Sequence, residues 1–215
     1  MKTRFFNVKD LRSINVEFST PMREAMTFDS AEGKKHIYDV FLSHSTKDMM
    51  LIKQIRKKLE DENNISVYID WDEDSGASRD DIANIVKDAM KRSRSFLVVK
   101  TDNSDDSSWV SWETGYFDNK DANKIGVLLV EDEENGFTHE IFHHQEYLKS
   151  YEILGQDDIV EFINSGASGV REHRLKLIDT EFRNNNIAVG SSGGLQILND
   201  NSGSSTKFFG EDSNN

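Results

Sequence analysis

Short apolar runs rich in β-branched and aromatic residues alternate along the chain with longer segments whose apolar residues recur every three or four positions. The first pattern is typical of β-strands and the second of amphipathic α-helices. The predicted strands are residues 37–42, 65–70, 95–100, 124–131 and 150–154. The predicted helices are residues 47–62, 78–93, 105–117 and 157–165. This alternation predicts parallel βαβ units joined by right-handed crossovers.

Five strands connected in this way predict an α/β fold with a flavodoxin-like, doubly wound five-stranded parallel sheet of order 2-1-3-4-5. Such sheets bind ligands beyond the carboxyl ends of their strands, where the first and third strands lie side by side. We therefore expect a crevice lined by the segments that follow the first three strands and by the start of the helix that contains Trp109 and Glu113. Those segments are residues 43–45, 70–76 and 100–104.

The sequence divides into four regions. Residues 1–36 contain the only proline, Pro21, and could form a strand or a helix packed on the domain that follows. Residues 37–165 hold the regular pattern, and residues 166–183 are predicted to be a helical extension. Residues 184–215 are dominated by Asn, Gly and Ser, which predicts a mostly disordered tail.

Charge and cysteine usage narrow the classes of function. The 215 residues include 26 Lys and Arg against 39 Asp and Glu, a net charge of −13, which disfavours nucleic acid as a partner. There is no cysteine, so disulfides, thiolate metal sites and a cysteine nucleophile are excluded. No apolar run is long enough for a signal peptide or a membrane span, so we expect a cytoplasmic protein without a membrane partner.

A phosphoacceptor receiver domain has the same predicted fold and is the first alternative to test. It requires acids at the ends of the first and third strands. Here the first strand ends in Leu42-Ser43-His44 and the third in Lys100, so that interpretation fails.

Four segments resemble, in order and spacing, the conserved boxes of a TIR (Toll/interleukin-1 receptor) domain. They are YDVFLSHSTKD at 38–48, the loop at 70–76, SFLVVKTDN at 95–103 and SSWVSWE at 107–113. The resemblance covers about residues 37–165 and is closest to bacterial TIR proteins. It implies that NAD+ is the substrate, that no other cofactor is needed, and that Glu113, four residues after Trp109, is catalytic.

The chemistry that the resemblance implies fits a carboxylate. TIR enzymes cleave the bond between nicotinamide and ribose, and the ribose carbon then gains oxocarbenium character. A carboxylate beside the ribose stabilises that charge. We expect the Glu113 carboxylate to face the crevice from the helix surface, with the Trp109 ring packed against it. The products would be nicotinamide and either ADP-ribose or a cyclic ADP-ribose-type messenger.

Further residues are predicted to contact the substrate because they lie at the switch point of the sheet. They are Ser43, His44, Ser45, Asp70, Trp71, Lys100 and Trp109. The acidic residues from Asp70 to Asp74 would repel a pyrophosphate, so we expect them to point outward or to contact a second subunit. TIR domains associate with one another, and the resemblance implies self-association here too.

The sequence HEIFH at 139–143 matches the zinc-protease motif HExxH. It lies in a loop before the weak fifth strand, and Glu146 and Glu152 are too close to it to serve as the usual third ligand. No metal site is predicted.

Three functions remain open. The first is an NAD-consuming TIR enzyme in bacterial antiphage defence, acting with a separate effector or sensor protein as in the Thoeris systems. The second is a non-catalytic TIR module that binds other proteins. The third is an enzyme similar to nucleoside 2-deoxyribosyltransferases, but the segment YDVFLSH and the spacing Ser107-x-Trp109-x-x-x-Glu113 favour a TIR domain.

Overall fold

The computed structural model describes residues 4–16, 37–70, 79–132, 145–184, 187–189 and 195–197. Those up to Val170 belong to one compact unit and those from Arg171 onward to a second. The strands are β1 Phe6–Asn7, β2 Tyr38–Ser43, β3 Val67–Tyr68, β4 Ser93–Lys100, β5 Ile125–Glu131, β6 Glu152–Leu154, β7 Ile187–Val189 and β8 Leu195–Ile197. The helices are α1 Val8–Arg12, α2 Met49–Asn63, α3 Arg79–Lys91, α4 Ser108–Asp121 and α5 Ile159–Asn184.

Five strands form the predicted parallel sheet in the order β3-β2-β4-β5-β6. Val40 on β2 lies opposite Val67 on one side and Ser95 on the other, and Gly126 on β5 lies opposite Glu152. This arrangement confirms the order 2-1-3-4-5 and the doubly wound fold. It also places β2 beside β4, so the switch point lies where the sequence predicts it.

The N-terminal segment adds a strand that the sequence pattern leaves undecided. β1 pairs in parallel with the carboxyl end of β5, with Phe6 opposite Val130. β6 pairs with the earlier residues of β5, Gly126 to Leu128, so β1 and β6 lie along the same side of that strand. The side chains of Phe6 and Leu11 are buried in the core, and the backbone N–H of Gln156 donates to the Arg4 carbonyl at 2.8 Å. The described part of residues 1–36 is therefore integral to the domain.

The sheet has a separate apolar layer on each face. Leu42, Leu97 and Leu128 pack with residues of α1, α2 and α5, whereas Phe41, Phe96 and Val127 pack with residues of α3 and α4. Successive residues of a strand point to opposite faces, so β2, β4 and β5 must be apolar on both sides. That requirement explains their nearly continuous apolar runs.

Several element boundaries differ from the prediction. The helix predicted at 47–62 begins as a 3-10 turn, Thr46–Asp48, and α2 ends at Asn63 because Asn64 takes a left-handed conformation with φ 54°. The strand predicted at 65–70 is reduced to Val67–Tyr68. Ser78, where the helix predicted at 78–93 begins, lies outside the described residues.

The predicted helices at 157–165 and 166–183 form one continuous element, α5, with a kink at Gly166. Within the predicted tail, β7 and β8 form an antiparallel pair, with Ile187 opposite Ile197, and the remaining residues lie outside the description. Among the described residues, no helix is both long and apolar enough to cross a membrane.

Candidate active site

Glu113 lies in the second turn of α4, on the face of the helix that packs against the sheet. Ser107 is the N-cap of the helix, and its side-chain oxygen accepts a hydrogen bond from the Val110 backbone amide at 3.4 Å. From there Val110, Glu113, Thr114 and Phe117 follow at helical spacing, and all four are buried. Only 4% of Glu113 is exposed, so the expectation of a carboxylate on the helix surface is wrong.

The Glu113 carboxyl group is bonded to the end of β2. The Ser43 hydroxyl donates to Oε2 of Glu113 at 2.5 Å. Ser43 can reach α4 because it is two residues beyond Phe41, which lies on the α4 face of the sheet. The bond joins a strand at the switch point to the helix that follows β4, so these two predicted crevice residues meet as expected.

Burial raises the pKa of Glu113 to about 8, against the effect of the Ser43 hydrogen bond, and the charge of Asp70 raises it further. Desolvation acts in this direction because it penalises the charged form of a carboxyl group. At neutral pH the group is therefore mostly protonated. A cation entering the site would favour the carboxylate.

The Trp109 ring, which is predicted to pack against this carboxyl group, contacts a second aromatic residue of α4. It is half-buried and packs edge to face on Trp112, with ring centroids 5.2 Å apart. Trp112 in turn stacks on Tyr116. The hydrogen bond from Ser43 fixes the orientation of the Glu113 carboxyl group.

His44 and Ser45, which follow Ser43, are buried at the same edge. The His44 Nδ1–H donates to the Leu42 carbonyl at 3.0 Å. Burial lowers the pKa of His44, although the bond to Leu42 and the charge of Asp48 act against this effect. The imidazole is thus neutral at neutral pH, and Ser45 caps the turn that follows it.

The remaining predicted site residues differ in position. Asp70 is half-buried and close enough to Glu113 to affect its pKa, and Trp71 lies outside the described residues. Lys100 is fully buried and ion-paired with Asp105, and burial lowers its pKa to about 8. Its ammonium group therefore holds the loop before α4. Of the predicted site residues, Ser43 contacts Glu113 directly and Asp70 lies close to it.

Sequence reasoning missed a polar cluster beside these residues. Asp48 is buried, and its carboxylate accepts hydrogen bonds from the Thr101 hydroxyl at 2.5 Å and the Asn103 side chain at 2.6 Å. The buried Gln145 side chain donates to the Ser104 carbonyl at 2.8 Å. The available signal was that Asp48 closes the segment YDVFLSHSTKD.

The structure does not test the predicted absence of a metal at HEIFH, because residues 139–143 lie outside the described residues. Within the ranges that the structure describes, no three acidic or histidine side chains are grouped so that they could hold an ion.

Known proteins resemble this chain in sequence. The TIR domain profile matches residues 40–154. A Bacillus cereus protein named "Probable 3′ cyclic ADP-D-ribose synthase ThsB′" is 34% identical over 160 residues, which are 70% of this chain and 76% of that protein. The provisionally named cyclic ADP-D-ribose synthase TIR2 of Cytobacillus dafuensis is 36% identical over 105 residues, 46% of this chain and 27% of that protein.

A solved metazoan TIR-STING receptor from C. gigas matches 70% of this chain and 50% of its own at 19% identity, with a TM-score of 0.43. The family assignment does not depend on it. The profile match covers more than half of the chain, and the similarity to the Bacillus cereus protein extends over most of that protein. The chain therefore belongs to the TIR-domain family.

Proposed function

We propose that this chain is an enzyme that cleaves the nicotinamide–ribose bond of NAD+ and releases nicotinamide with ADP-ribose or a cyclic ADP-ribose-type messenger. The observation that carries the proposal is the buried Glu113 carboxyl group, bonded to Ser43 at the carboxyl edge of a TIR sheet. The names of the two bacterial relatives, both cyclic ADP-D-ribose synthases, support a cyclic product.

The proposed reaction needs no strong acid. When the bond between nicotinamide and ribose C1′ breaks, its electron pair stays on the nicotinamide nitrogen, and the cationic ring leaves as a neutral molecule. C1′ becomes electron-poor, and the Glu113 carboxylate stabilises it. A hydroxyl group or ring nitrogen of the same molecule, or water, then bonds to C1′. Where that nucleophile carries a proton, Glu113 is placed to accept it.

The shifted pKa of Glu113 fits a cationic substrate. A protonated carboxyl group is the stable form in the empty buried site, because a lone carboxylate there is poorly solvated. The positive nicotinamide ring of NAD+ would stabilise the ionised form on binding. NADH has a neutral nicotinamide ring, so the same site would bind NADH less tightly than NAD+.

We place the activity in bacterial antiphage defence in the cytoplasm, with a separate effector or sensor protein that responds to the change in NAD+ or to the messenger. The basis is the resemblance to Thoeris TIR proteins. We also propose TIR–TIR self-association, for which family membership is the support. Specific activity should then rise with protein concentration.

The direct test is incubation of the purified chain with NAD+ followed by chromatography of the products. We expect equal amounts of nicotinamide and of an ADP-ribose product, linear or cyclic, and neither from Glu113→Gln. A wild-type protein that releases no nicotinamide at any concentration, alone or with a crowding agent, would favour the non-catalytic binding module instead.

A further inference from the structure

The loop between β4 and α4, residues 101–107, is held by three separate contacts. Asp48 binds the Thr101 and Asn103 side chains, Lys100 is ion-paired with Asp105, and Gln145 donates to the Ser104 carbonyl. Thr101 and Ser104 also bond to each other through a capping box. A loop with so many internal and external bonds has little freedom to move.

Among these contacts, the one from Asp48 joins the two segments that supply Ser43 and Glu113. Asp48 ends the 3-10 turn that follows β2, five residues after Ser43. The loop that it binds leads, through the helix cap at Ser107, into the first turns of α4. Only 9% of Asp48 is exposed, and each of its carboxylate oxygens accepts one hydrogen bond.

We propose that Asp48 is a positioning residue, which fixes α4 relative to the end of β2 and so aligns the Glu113 carboxyl group with Ser43. The proposal rests on the proposed function, in which that carboxyl group faces ribose C1′. The Ser43–Glu113 bond is short and depends on both segments, so a small shift of the loop would lengthen it. Misalignment of this kind lowers the turnover rate more than it weakens substrate binding.

Asp48 could instead act through its negative charge, which also acts on His44. Two substitutions separate these roles. Asp48→Ala removes both hydrogen bonds. The amide of Asp48→Asn can still accept from Asn103 and can donate to the Thr101 hydroxyl oxygen, so it keeps the geometry without the charge.

Asp39 provides a matched control at the opposite edge of the sheet. It is also an aspartate on the β2 segment that joins two parts of the chain, through bonds to Ser66 and Arg94. Asp39→Ala removes a comparable number of hydrogen bonds far from Glu113. It therefore measures how much activity is lost by destabilisation alone.

The experiment measures kcat and KM for NAD+ in wild type, Asp48→Ala, Asp48→Asn and Asp39→Ala, with hydrogen exchange of the peptide that covers residues 101–113. We expect Asp48→Ala to lower kcat about 10- to 100-fold with little change in KM, and to speed exchange in that peptide. Asp48→Asn should stay within about threefold of wild type on the same grounds. Asn103→Ala, at an exposed residue, should show a smaller loss if Asp48→Ala does not fold.

Two results would overturn the positioning role. One is equal kcat and equal exchange for Asp48→Ala and Asp39→Ala, and the other is an equal loss of kcat for Asp48→Asn and Asp48→Ala. If wild type does not cleave NAD+, the proposed function fails. Hydrogen exchange then decides the positioning role without it: faster exchange in residues 101–113 for Asp48→Ala alone supports the role, and unchanged exchange contradicts it.

Discussion

The two ends of the sheet use charged residues in different ways. We call the end where the parallel strands begin the amino edge, and the end where they finish the carboxyl edge. At the amino edge, Lys120 donates to the carbonyls of Met90, Lys91 and Ser93, and Lys124 donates to those of Ile163 and Asn164. The two ammonium groups thus bind carbonyls at the end of α3 and just before the α5 kink, where a positive charge is favourable.

At the carboxyl edge, three ionisable groups are buried. Glu113, Asp48 and Lys100 lie beneath the surface, and burial shifts the pKa of Glu113 upward and that of Lys100 downward. Such perturbed groups are costly to the fold and cluster at functional sites. The comparison indicates that the charged groups of the amino edge serve stability, whereas those of the carboxyl edge serve the chemistry that we propose.

The largest expected effect is that of Glu113→Gln, which should lower nicotinamide release roughly a thousandfold or more, because it removes the carboxylate that stabilises C1′. Asp118→Asn, on the same helix but exposed, is the control and should retain activity. Comparable rates for both variants would remove Glu113 from the mechanism.

The same substitution tests the cost of burying Glu113. Because its pKa is raised from 4.5 to about 8 in the folded state, the folded state holds a proton that the unfolded state has released. Wild type should therefore lose stability as the pH rises through that range. Denaturant titrations should show that Glu113→Gln reduces this loss, and an identical pH dependence in both proteins would contradict the burial.

The next effect concerns the bond to Glu113. Ser43→Ala should lower kcat about 10- to 100-fold, because the carboxyl group loses its fixed orientation. The Ser43 hydrogen bond also lowers the pKa of Glu113, so its removal should move the acidic limb of the kcat/KM profile to higher pH. Steady-state kinetics across pH would measure both effects.

Ser95→Ala is the matched control for this comparison. Ser95 is buried in β4, and among the described residues its hydroxyl has no hydrogen-bond partner. Its removal should leave turnover unchanged. Equal losses for the two serine variants would show a packing effect and no special role for Ser43.

A smaller effect, on stability alone, is expected at the amino edge. Gly166 has φ +74°, and a Cβ there would lie 2.4 Å from the side-chain nitrogen of Asn123. Gly166→Ala should cost about 1–3 kcal/mol in the free energy of unfolding, with activity per folded molecule unchanged.

Gly115→Ala, where a Cβ meets nothing within 4 Å, should instead stabilise α4 by about 0.5–1 kcal/mol. Urea denaturation measures both variants, and a Gly166→Ala protein as stable as wild type would contradict the prediction.

The smallest effect is that of Arg94→Met. Arg94 is ion-paired with Asp39 at 3.1 Å, and its side chain is half exposed. Loss of an exposed pair should cost less than about 1 kcal/mol and leave NAD+ cleavage unaltered. A marked loss of activity without a loss of stability would mean that the amino edge also contributes to the chemistry.

The fold could be predicted because β2, β4 and β5 have nearly continuous apolar runs and the helices between them have clear periodicity. β1 could not, since two residues give no pattern, and they form a strand only because the edge of β5 is open to them. The left-handed Asn64 and the kink at Gly166 depend on local backbone conformations that periodicity does not reveal.

The position of the site could be predicted from topology, whereas the catalytic role of Glu113, which the TIR resemblance implies, stays a prediction. The partner of Glu113 could not be predicted, because the bond from Ser43 crosses 70 residues of sequence. The ion pair of Lys100 with Asp105 could not be predicted for a related reason, because it depends on how the loop turns after β4. Side-chain contacts between the end of a strand and a neighbouring helix or loop can be identified only from the three-dimensional structure.

The most direct test of the central claim is the pH dependence of kcat/KM for NAD+ cleavage, which reports the ionisation of the free enzyme. If the buried Glu113 must be ionised, kcat/KM should rise about tenfold per pH unit until the pH approaches the pKa of about 8. Burial lowers the pKa of His44. Deprotonation of Lys100 would remove the ion pair that holds the loop before α4 and so lower kcat/KM, which means that the rise with pH belongs to Glu113. A kcat/KM that stays constant between about pH 5.5 and 7.5 would contradict the account.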